Sequence, residues 1–124
     1  MITHVDVVTL YVADQAAMTS FFTEQMGFAK RTDAEMGPGK RWIEVVPEGA
    51  RTSLALLAAR DFDRAPDTEY PLTFACPDLE AAGPQLEERG VAVGEIVSEF
   101  WGSYRWITDP EGRRFIIAHP EIGR

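Results

Sequence analysis

Few side chains in this sequence are of the types that carry out chemistry. It contains two histidines, His4 and His119, and one cysteine, Cys76. Cys76 lies in an apolar run with no histidine or basic residue beside it to stabilise a thiolate, so we expect a small buried hydrophobe. Ser53 and Ser103 have no identifiable histidine and carboxylate partners for nucleophilic catalysis. No glycine-rich loop joins a strand to a helix as a phosphate cradle requires.

The other candidates are aromatic and favour binding. Trp42 and Trp106 lie 64 positions apart (106 minus 42) in two matching stretches, and Trp101 and Tyr104 lie beside the second stretch. Large rigid aromatic rings stack on planar ligands at low entropic cost. Glu44 could supply the counter-charge for a cationic ligand, and a role for it as a general acid or base stays open.

These side chains belong to a segment that occurs twice. Arg41-Trp42-Ile43, followed by Pro47-Glu48-Gly49, recurs as Arg105-Trp106-Ile107, followed by Pro110-Glu111-Gly112. Proline fixes φ at the second position of a turn, and glycine supplies the positive φ of a tight reversal. The flanking β-branched and aromatic residues suit a half-buried pleated surface. Each copy therefore predicts a β-hairpin, and the chain is predicted to be a tandem repeat.

Each copy predicts the element order strand, helix, strand, strand, strand. In the first copy the expected strands are 4–12, 28–32, 42–46 and 53–57, with a helix between Asp14 and Gly27. In the second copy they are 72–76, 91–97, 100–108 and 114–119, with a helix between Asp78 and Gly90. The two aspartates are typical N-caps and the two glycines typical C-caps.

Three segments interrupt this pattern. Residues 34–40 form a turn-rich connection that could act as a lid. Pro84 falls inside the second helix, where we expect a kink or a broken first turn. Residues 61–69 predict a short linker. The chain is therefore expected to be one domain, 1–124, with a first module at 1–60 and a second at 70–124.

Composition excludes some functions. The net charge of −8 disfavours nucleic acid, whose phosphates it would repel. It would attract a cationic small molecule, although it could equally serve solubility alone. No apolar run reaches the roughly 18 residues of a membrane span, and no signal peptide is recognised, so we expect no membrane partner and a cytoplasmic protein. The single cysteine agrees with a reducing compartment.

The order of these motifs resembles the vicinal oxygen chelate superfamily, the group of glyoxalase I, extradiol dioxygenases and bleomycin-resistance proteins. The resemblance rests on a Val12-x-Asp14 strand end, a helix with Phe21-Phe22, a Gly27-Phe28 restart and the Asp109-Pro110-x-Gly112 hairpin. It implies an α+β fold of two tandem βαβββ modules. Such modules form a curved mixed sheet that closes a cup, and the resemblance implies that the chain pairs as a homodimer.

Metal-dependent members of that superfamily resemble one another in carrying one His or Glu ligand on each of four strands. The resemblance places these four positions on Val7, Ala55, Leu72 and Ile116. Ser53 replaces the second if the hairpin is shifted, but a hydroxyl is a poor ligand for a divalent ion. His4 and His119 each lie three residues from a ligand position, so alternation turns them away from the cup. We therefore expect no metal, no cofactor and no metal-assisted activity.

The residues expected to line the cup and bind a ligand are Thr9, Tyr11, Trp42, Glu44, Ser53, Phe74, Trp101, Tyr104 and Trp106. Alternation sets Ile43 and Val45 towards the helix and Trp42 with Glu44 towards the cup, because an unpaired carboxylate beneath the helix is costly. Packing of both tryptophans between sheet and helix stays an alternative.

Three interpretations follow from this set of residues. The first, which we favour, is a metal-free relative of the bleomycin-resistance proteins that sequesters a planar, cationic aromatic ligand unchanged. The second is a glyoxalase- or dioxygenase-like lyase or isomerase with a non-standard active site. The third is a scaffold whose cup is vestigial.

Overall fold

The computed structural model describes residues 1–123 and divides the chain into two compact units. The first unit is Met1–Pro71, and the second begins at Leu72. Each unit contains one mixed sheet and one α-helix, which confirms the predicted α+β class. Among residues 1–123, no helix is both long and apolar enough to span a membrane.

The first unit contains a four-stranded sheet in the order β1-β4-β3-β2. Its elements are β1 (Val7–Val12), α1 (Gln15–Ser20) with a π-helical turn (Phe21–Gln25), β2 (Ala29–Gly37), β3 (Lys40–Val46), β4 (Ser53–Ala58) and a 3₁₀ turn (Ala59–Phe62). Asp14 caps α1 as predicted, because its carboxylate accepts a hydrogen bond from the Ala17 N–H. Gly27, at φ +78°, ends the helical segment.

The two faces of this sheet differ in polarity. β1 pairs in parallel with β4, and β4 pairs antiparallel with β3, so the register fixes which side chains share a face. One face is apolar and buried, with α1 in contact with β4, and its members are Leu10, Val12, Ile43, Val45, Leu54 and Leu56. The opposite face, here the Glu44 face, consists of Val7, Thr9, Tyr11, Trp42, Glu44, Ser53 and Ala55.

The second unit contains a five-stranded sheet in which β5, β9, β8 and β6 follow one another and β7 also pairs with β8. Its elements are β5 (Phe74–Ala75), α2 (Leu79–Glu88), β6 (Ala92–Val93), β7 (Val97–Glu99), β8 (Gly102–Thr108) and β9 (Arg114–Pro120). Asp78 caps α2 by accepting a hydrogen bond from the Ala81 N–H. Gly90 follows the helix at φ +81°.

Arg105 identifies the face of the second sheet that lies against α2. Its guanidinium donates to the Leu79 carbonyl at 2.8 Å and to the Gly94 carbonyl at 3.0 Å. A Cβ added at Gly83, inside α2, would lie 2.7 Å from this guanidinium. Side chains alternate along β8, so Trp106 points to the opposite side. This side, here the Trp106 face, carries Tyr104, Trp106, Arg114 and Ile116.

Both predicted hairpins are present. The Ala50 N–H donates to the Pro47 carbonyl in the first turn, and the Gly112 N–H donates to the Asp109 carbonyl in the second. Gly49 and Gly112 have φ of +81° and +87°, which is the backbone conformation that the Pro-x-Gly pattern predicts.

One expectation for the first unit is corrected by the backbone bonding, and the position of the predicted linker is defined by it. Residues 34–37 are not a lid, because they belong to β2 and pair with β3, with Ala34 opposite Trp42. The turn at Gly39 (φ +71°) is therefore the tip of a hairpin. The predicted linker is fixed to β1, since Asp67 and Tyr11 exchange two bonds.

Two expectations for the second unit are also corrected. Pro84 does not break α2, which is continuous from Leu79 to Glu88. The strand predicted at 91–97 is instead two short strands, β6 and β7, which both pair with β8.

Candidate ligand-binding surfaces

Glu44 is the polar centre of the Glu44 face. Its side chain is buried, with 9% of the residue exposed. The indole N–H of Trp42 donates to Glu44 Oε2 at 2.7 Å, and the Ser53 hydroxyl donates to Glu44 Oε1. The three residues meet because Trp42 and Glu44 alternate on β3 while Ser53 begins the adjacent β4. Both carboxylate oxygens therefore already accept hydrogen bonds from protein donors.

Arg31 lies near this carboxylate but makes its shorter ion pair with Asp6. Its Nε lies 3.5 Å from Glu44 Oε1, and its Nη2 donates to Asp6 Oδ1 at 2.8 Å. The hydrogen bond from Arg31 lowers the pKa of the Asp6 carboxyl. One arginine is therefore shared by two carboxylates, and the role of Glu44 as the counter-charge of a cationic ligand stays a prediction.

Tyr11 forms an aromatic–cation contact on the Glu44 face. The Arg64 guanidinium lies 3.9 Å above the centre of its ring, and the Phe62 ring packs edge-on at 5.3 Å. Arg64 also forms an ion pair with Asp67 at 2.9 Å. Thr9, half-buried, is opposite Ala55 in the same register. This arginine is therefore neutralised as Arg31 is.

The Trp106 face carries a row of three half-buried aromatic rings, here the aromatic row, formed by Trp101, Tyr104 and Trp106. Trp101 and Tyr104 are stacked, with centroids 5.7 Å apart and planes at 5°. Tyr104 meets Trp106 edge-on at 5.9 Å. The Arg114 guanidinium lies 4.2 Å above the Trp106 ring. Neither tryptophan of the repeat is packed beneath its helix, because Trp42 and Trp106 both lie on the opposite face.

Phe74 does not belong to this surface. The sequence predicts that it lines the cup, but Phe74 pairs with Ile117, which pairs with Arg105 on the α2 side of the sheet. Its ring packs edge-on against Phe115 at 5.4 Å. The placement of Phe74 with Trp106 is therefore wrong.

The four positions that the family resemblance assigns to metal ligands hold no ligand side chain. Val7 and Ala55 share the Glu44 face, Ile116 pairs with Trp106, and Leu72 lies two residues before β5 begins. His119 lies opposite Ser103, on the α2 side. In the described part of the chain, no three His, Cys, Asp or Glu side chains are grouped as a metal site would require. These residues do not fit the metal-binding role.

A separate cavity in the second unit was not predicted. It has a volume of about 320 Å³ and lies on the α2 side of the sheet, lined by residues that include Leu79, Ile96, Ser98, Ser103 and His119. The hydroxyl oxygens of Ser98 and Ser103 are 3.4 Å apart. Only the register that aligns these strands reveals the cavity, because the residues are distant in sequence.

The protein consists of two consecutive βαβββ-type units that are related in sequence. The faces of their sheets away from the helices carry aromatic side chains and hold no group of metal ligands among residues 1–123. The chain belongs to the glyoxalase/bleomycin resistance protein/dioxygenase superfamily, whose family model matches residues 3–117.

Three relatives illustrate the similarity. TnmS3, an antibiotic binding protein from Streptomyces sp. CB03234, is 32% identical, with coverage of 97% of this chain and 98% of that chain and a TM-score of 0.83. A superfamily member from Sphaerobacter thermophilus DSM 20745 is 30% identical, with 94% and 97% coverage and a TM-score of 0.85. YetH of Bacillus subtilis (strain 168), an uncharacterized protein, is 30% identical over 118 residues, which are 94% of this chain and 98% of YetH.

Proposed function

We propose that this protein binds a planar aromatic small molecule by stacking, without a metal ion, and holds it chemically unchanged. The aromatic row supports this proposal most directly, because its three large rings adjoin one another on the face of the sheet turned away from the helix. All three rings are half-buried, so each keeps apolar area that a ligand could cover.

The apolar area of the rings sets the size of the interaction energy that stacking can supply. Covering roughly 200 Å² of apolar surface at about 25 cal/mol per Å² contributes about 5 kcal/mol. Each aromatic pair adds about 0.5–1.5 kcal/mol beyond its buried area. Two such pairs bring the gross interaction to about 6–8 kcal/mol, and the freedom lost on binding costs about 4 kcal/mol or more, so this contact alone gives about millimolar affinity and tighter binding requires further contacts. A ligand of two or three fused rings is therefore the size that this surface suits.

The similarity to TnmS3 supports the same proposal, because that protein is described as an antibiotic binding protein. The metal-free state is supported by the side chains at the four expected ligand positions, none of which coordinates a divalent ion usefully. Elemental analysis of protein purified without chelator should find no stoichiometric zinc, nickel, iron or manganese.

The alternative function, a lyase or isomerase of glyoxalase- or dioxygenase-like type, has one observation in its favour. Ser103 and His119 are cross-strand partners, and both line the cavity of about 320 Å³. Such a pair could exchange a proton with a substrate. Chemical alteration of the bound molecule, abolished by His119→Ala, would favour the enzyme over the binding protein.

Tryptophan fluorescence tests the proposal directly. Titration with planar polycyclic probes, such as intercalating drugs, should give saturable quenching, and mass spectrometry should recover the probe intact. Trp106→Ala should weaken binding at least tenfold. Phe100→Ala is the matched control, because Phe100 is 89% exposed and adjoins the aromatic row without forming part of it. Equal affinities for all three proteins, or an altered probe, would contradict the proposal.

We also propose that the chain acts as a two-fold homodimer. Among residues 1–123, β2 ends the first sheet and β5 ends the second, and each pairs with a single neighbouring strand. Pairing or covering such edges stabilises a protein against uncontrolled association, and two-fold dimers are the commonest solution. Sedimentation equilibrium should give twice the 13.8 kDa chain mass at micromolar concentration. A mass of one chain would contradict the dimer.

A further inference from the structure

We infer that the bound aromatic molecule carries an anionic oxygen group, such as a carboxylate or phenolate, and that Arg114 recognises it. This inference rests on the proposed function and specifies its ligand. The net charge of −8 would favour a cationic ligand. The groups around Arg114 favour an anionic one.

Arg114 is held in place by an aromatic ring rather than by a carboxylate. It is the first residue of β9 and pairs with Thr108, next to the pair formed by Trp106 and Ile116. Its guanidinium carbon lies 4.2 Å above the centre of the Trp106 ring. Stacking uses the flat face of a guanidinium, so the N–H groups at its edge stay available as donors.

The carboxylates nearest to Arg114 in sequence are already occupied. Arg113 donates to Asp109 Oδ2 at 2.9 Å and to Glu111 Oε1 at 2.7 Å, and it is itself 7% exposed. Among residues 1–123, none of the ion pairs with an N···O distance of 4.0 Å or less involves Arg114. Because Arg113 takes both carboxylates, the positive charge of Arg114 beside the aromatic row has no carboxylate partner among residues 1–123.

Arg64 is stacked on an aromatic ring like Arg114 but differs from it in having a carboxylate partner. Arg64 is also stacked on an aromatic ring, that of Tyr11, but Asp67 neutralises it at 2.9 Å. A ligand anion at Arg64 would have to compete with an intramolecular carboxylate. At Arg114 it would complete an ion pair that the protein leaves open.

The net charge of −8 does not outweigh this contact. At physiological ionic strength, exposed charges more than about 8 Å away are largely screened. The sign that a bound group senses is therefore set by its immediate neighbours. Guanidinium groups bind planar oxyanions through two parallel hydrogen bonds, which fix orientation as well as charge. An aromatic carboxylate would satisfy Arg114 while its ring lies against the aromatic row.

Three probes that share one ring system and differ in charge test the inference. They are naphthalene-2-carboxylate, the neutral naphthalene-2-carboxamide and the cationic 2-naphthylmethylammonium. A charge-assisted pair should make the carboxylate bind about tenfold more tightly than the amide. The preference should shrink as KCl is raised. Fluorescence titration of the unmodified protein gives all three affinities.

Arg114→Gln should reduce the carboxylate-to-amide ratio to about one while the affinity for the amide changes less than threefold. Arg114→Lys keeps the charge but loses the planar fork, so it should retain part of the preference. Arg60→Gln is the matched control, because it removes the same charge from an exposed residue of the first unit. It should leave the ratio unchanged.

The outcomes separate the two proposals. If the amide or the ammonium probe binds as tightly as the carboxylate, or if Arg114→Gln leaves the ratio unchanged, the inference is overturned while the proposed aromatic binding stands. If none of the three probes binds, both proposals fall. Tight binding of the carboxylate, with the preference lost only in the Arg114 variants, supports both.

Discussion

Removal of the Glu44 carboxylate should destabilise the protein by about 2–4 kcal/mol. Glu44→Ala leaves the Ser53 hydroxyl, in a residue only 2% exposed, and the Trp42 indole N–H without their acceptor. A hydrogen bond to a charged group contributes about 1.5–3 kcal/mol, and two give about 3–6 kcal/mol. Trp42 is half-buried, so water can replace its bond in part, which lowers the expected total.

Urea unfolding followed by circular dichroism measures this loss. With an m value of about 1.5 kcal/mol per M, a loss of 3 kcal/mol lowers the midpoint by about 2 M. Glu44→Gln should cost less, about 1–2 kcal/mol, because the amide retains one acceptor oxygen. The matched control is Glu35→Ala, an exposed position on β2 of the same sheet, which should change stability by less than about 0.5 kcal/mol.

A double-mutant cycle isolates the hydrogen bond from the other effects of truncation. The coupling energy of Glu44→Ala and Ser53→Ala should be about 1 kcal/mol or more, because each single change already removes the shared bond. If Glu44→Ala costs under about 0.5 kcal/mol, or if the two losses simply add, the hydrogen bonds to Glu44 do not stabilise the sheet.

Three further predictions concern other parts of the chain. Asp109→Ala should lower the free energy of unfolding in urea by about 3–5 kcal/mol, because it breaks a buried ion pair with Arg113, which is 7% exposed. A loss below about 1 kcal/mol would contradict this. Gly102→Ala should cost about 2 kcal/mol or more by the same assay, since a Cβ there would overlap the His119 carbonyl at a φ of +147°; an unchanged midpoint would contradict this. Burial raises the pKa of the Cys76 thiol, so less of it is thiolate at any pH near 8, and iodoacetamide should alkylate it more slowly than it alkylates free cysteine; an equal or faster rate would contradict this.

The sequence predicts the backbone and the faces of the strands well because both follow from local rules. Alternation sets Trp42 and Glu44 on the face opposite Ile43 and Val45, and the register agrees. The caps at Asp14 and Asp78 depend on hydrogen bonds within four residues, so a short stretch of sequence is enough to identify them.

The side of the sheet on which Phe74 lies can be predicted from the repeat. Phe74 lies 64 positions after Leu10 (74 minus 10), and Leu10 belongs to the buried face of the first sheet. The repeat itself therefore predicts that Phe74 faces α2. The short apolar run around Phe74 gave no alternation of its own from which to choose a face, because β5 comprises two residues only.

The partners of Glu44 could not be predicted from the sequence. Arg31 lies where the register of β2 against β3 shifts between Lys30 and Thr32, as at a β-bulge. A bulge redirects a side chain that regular alternation would place elsewhere. Nothing in the residue types at 30–32 signals the shift, so the approach of Arg31 to Glu44 becomes visible only in three dimensions.

The equivalent tryptophans of the two units have neighbours of opposite charge. In the first unit, the indole N–H of Trp42 donates to Glu44, and Arg31 lies 3.5 Å from that carboxylate. The position equivalent to Glu44 in the second unit is 108 (44 plus 64), which is Thr108 and carries no charge. Trp106 consequently has no carboxylate on its own strand, and Arg114 covers its ring instead. The first unit thus has a tryptophan bonded to an acid, whereas the second unit has a tryptophan whose ring is covered by an arginine. This arginine and the aromatic row are the groups that the proposed aromatic anion requires.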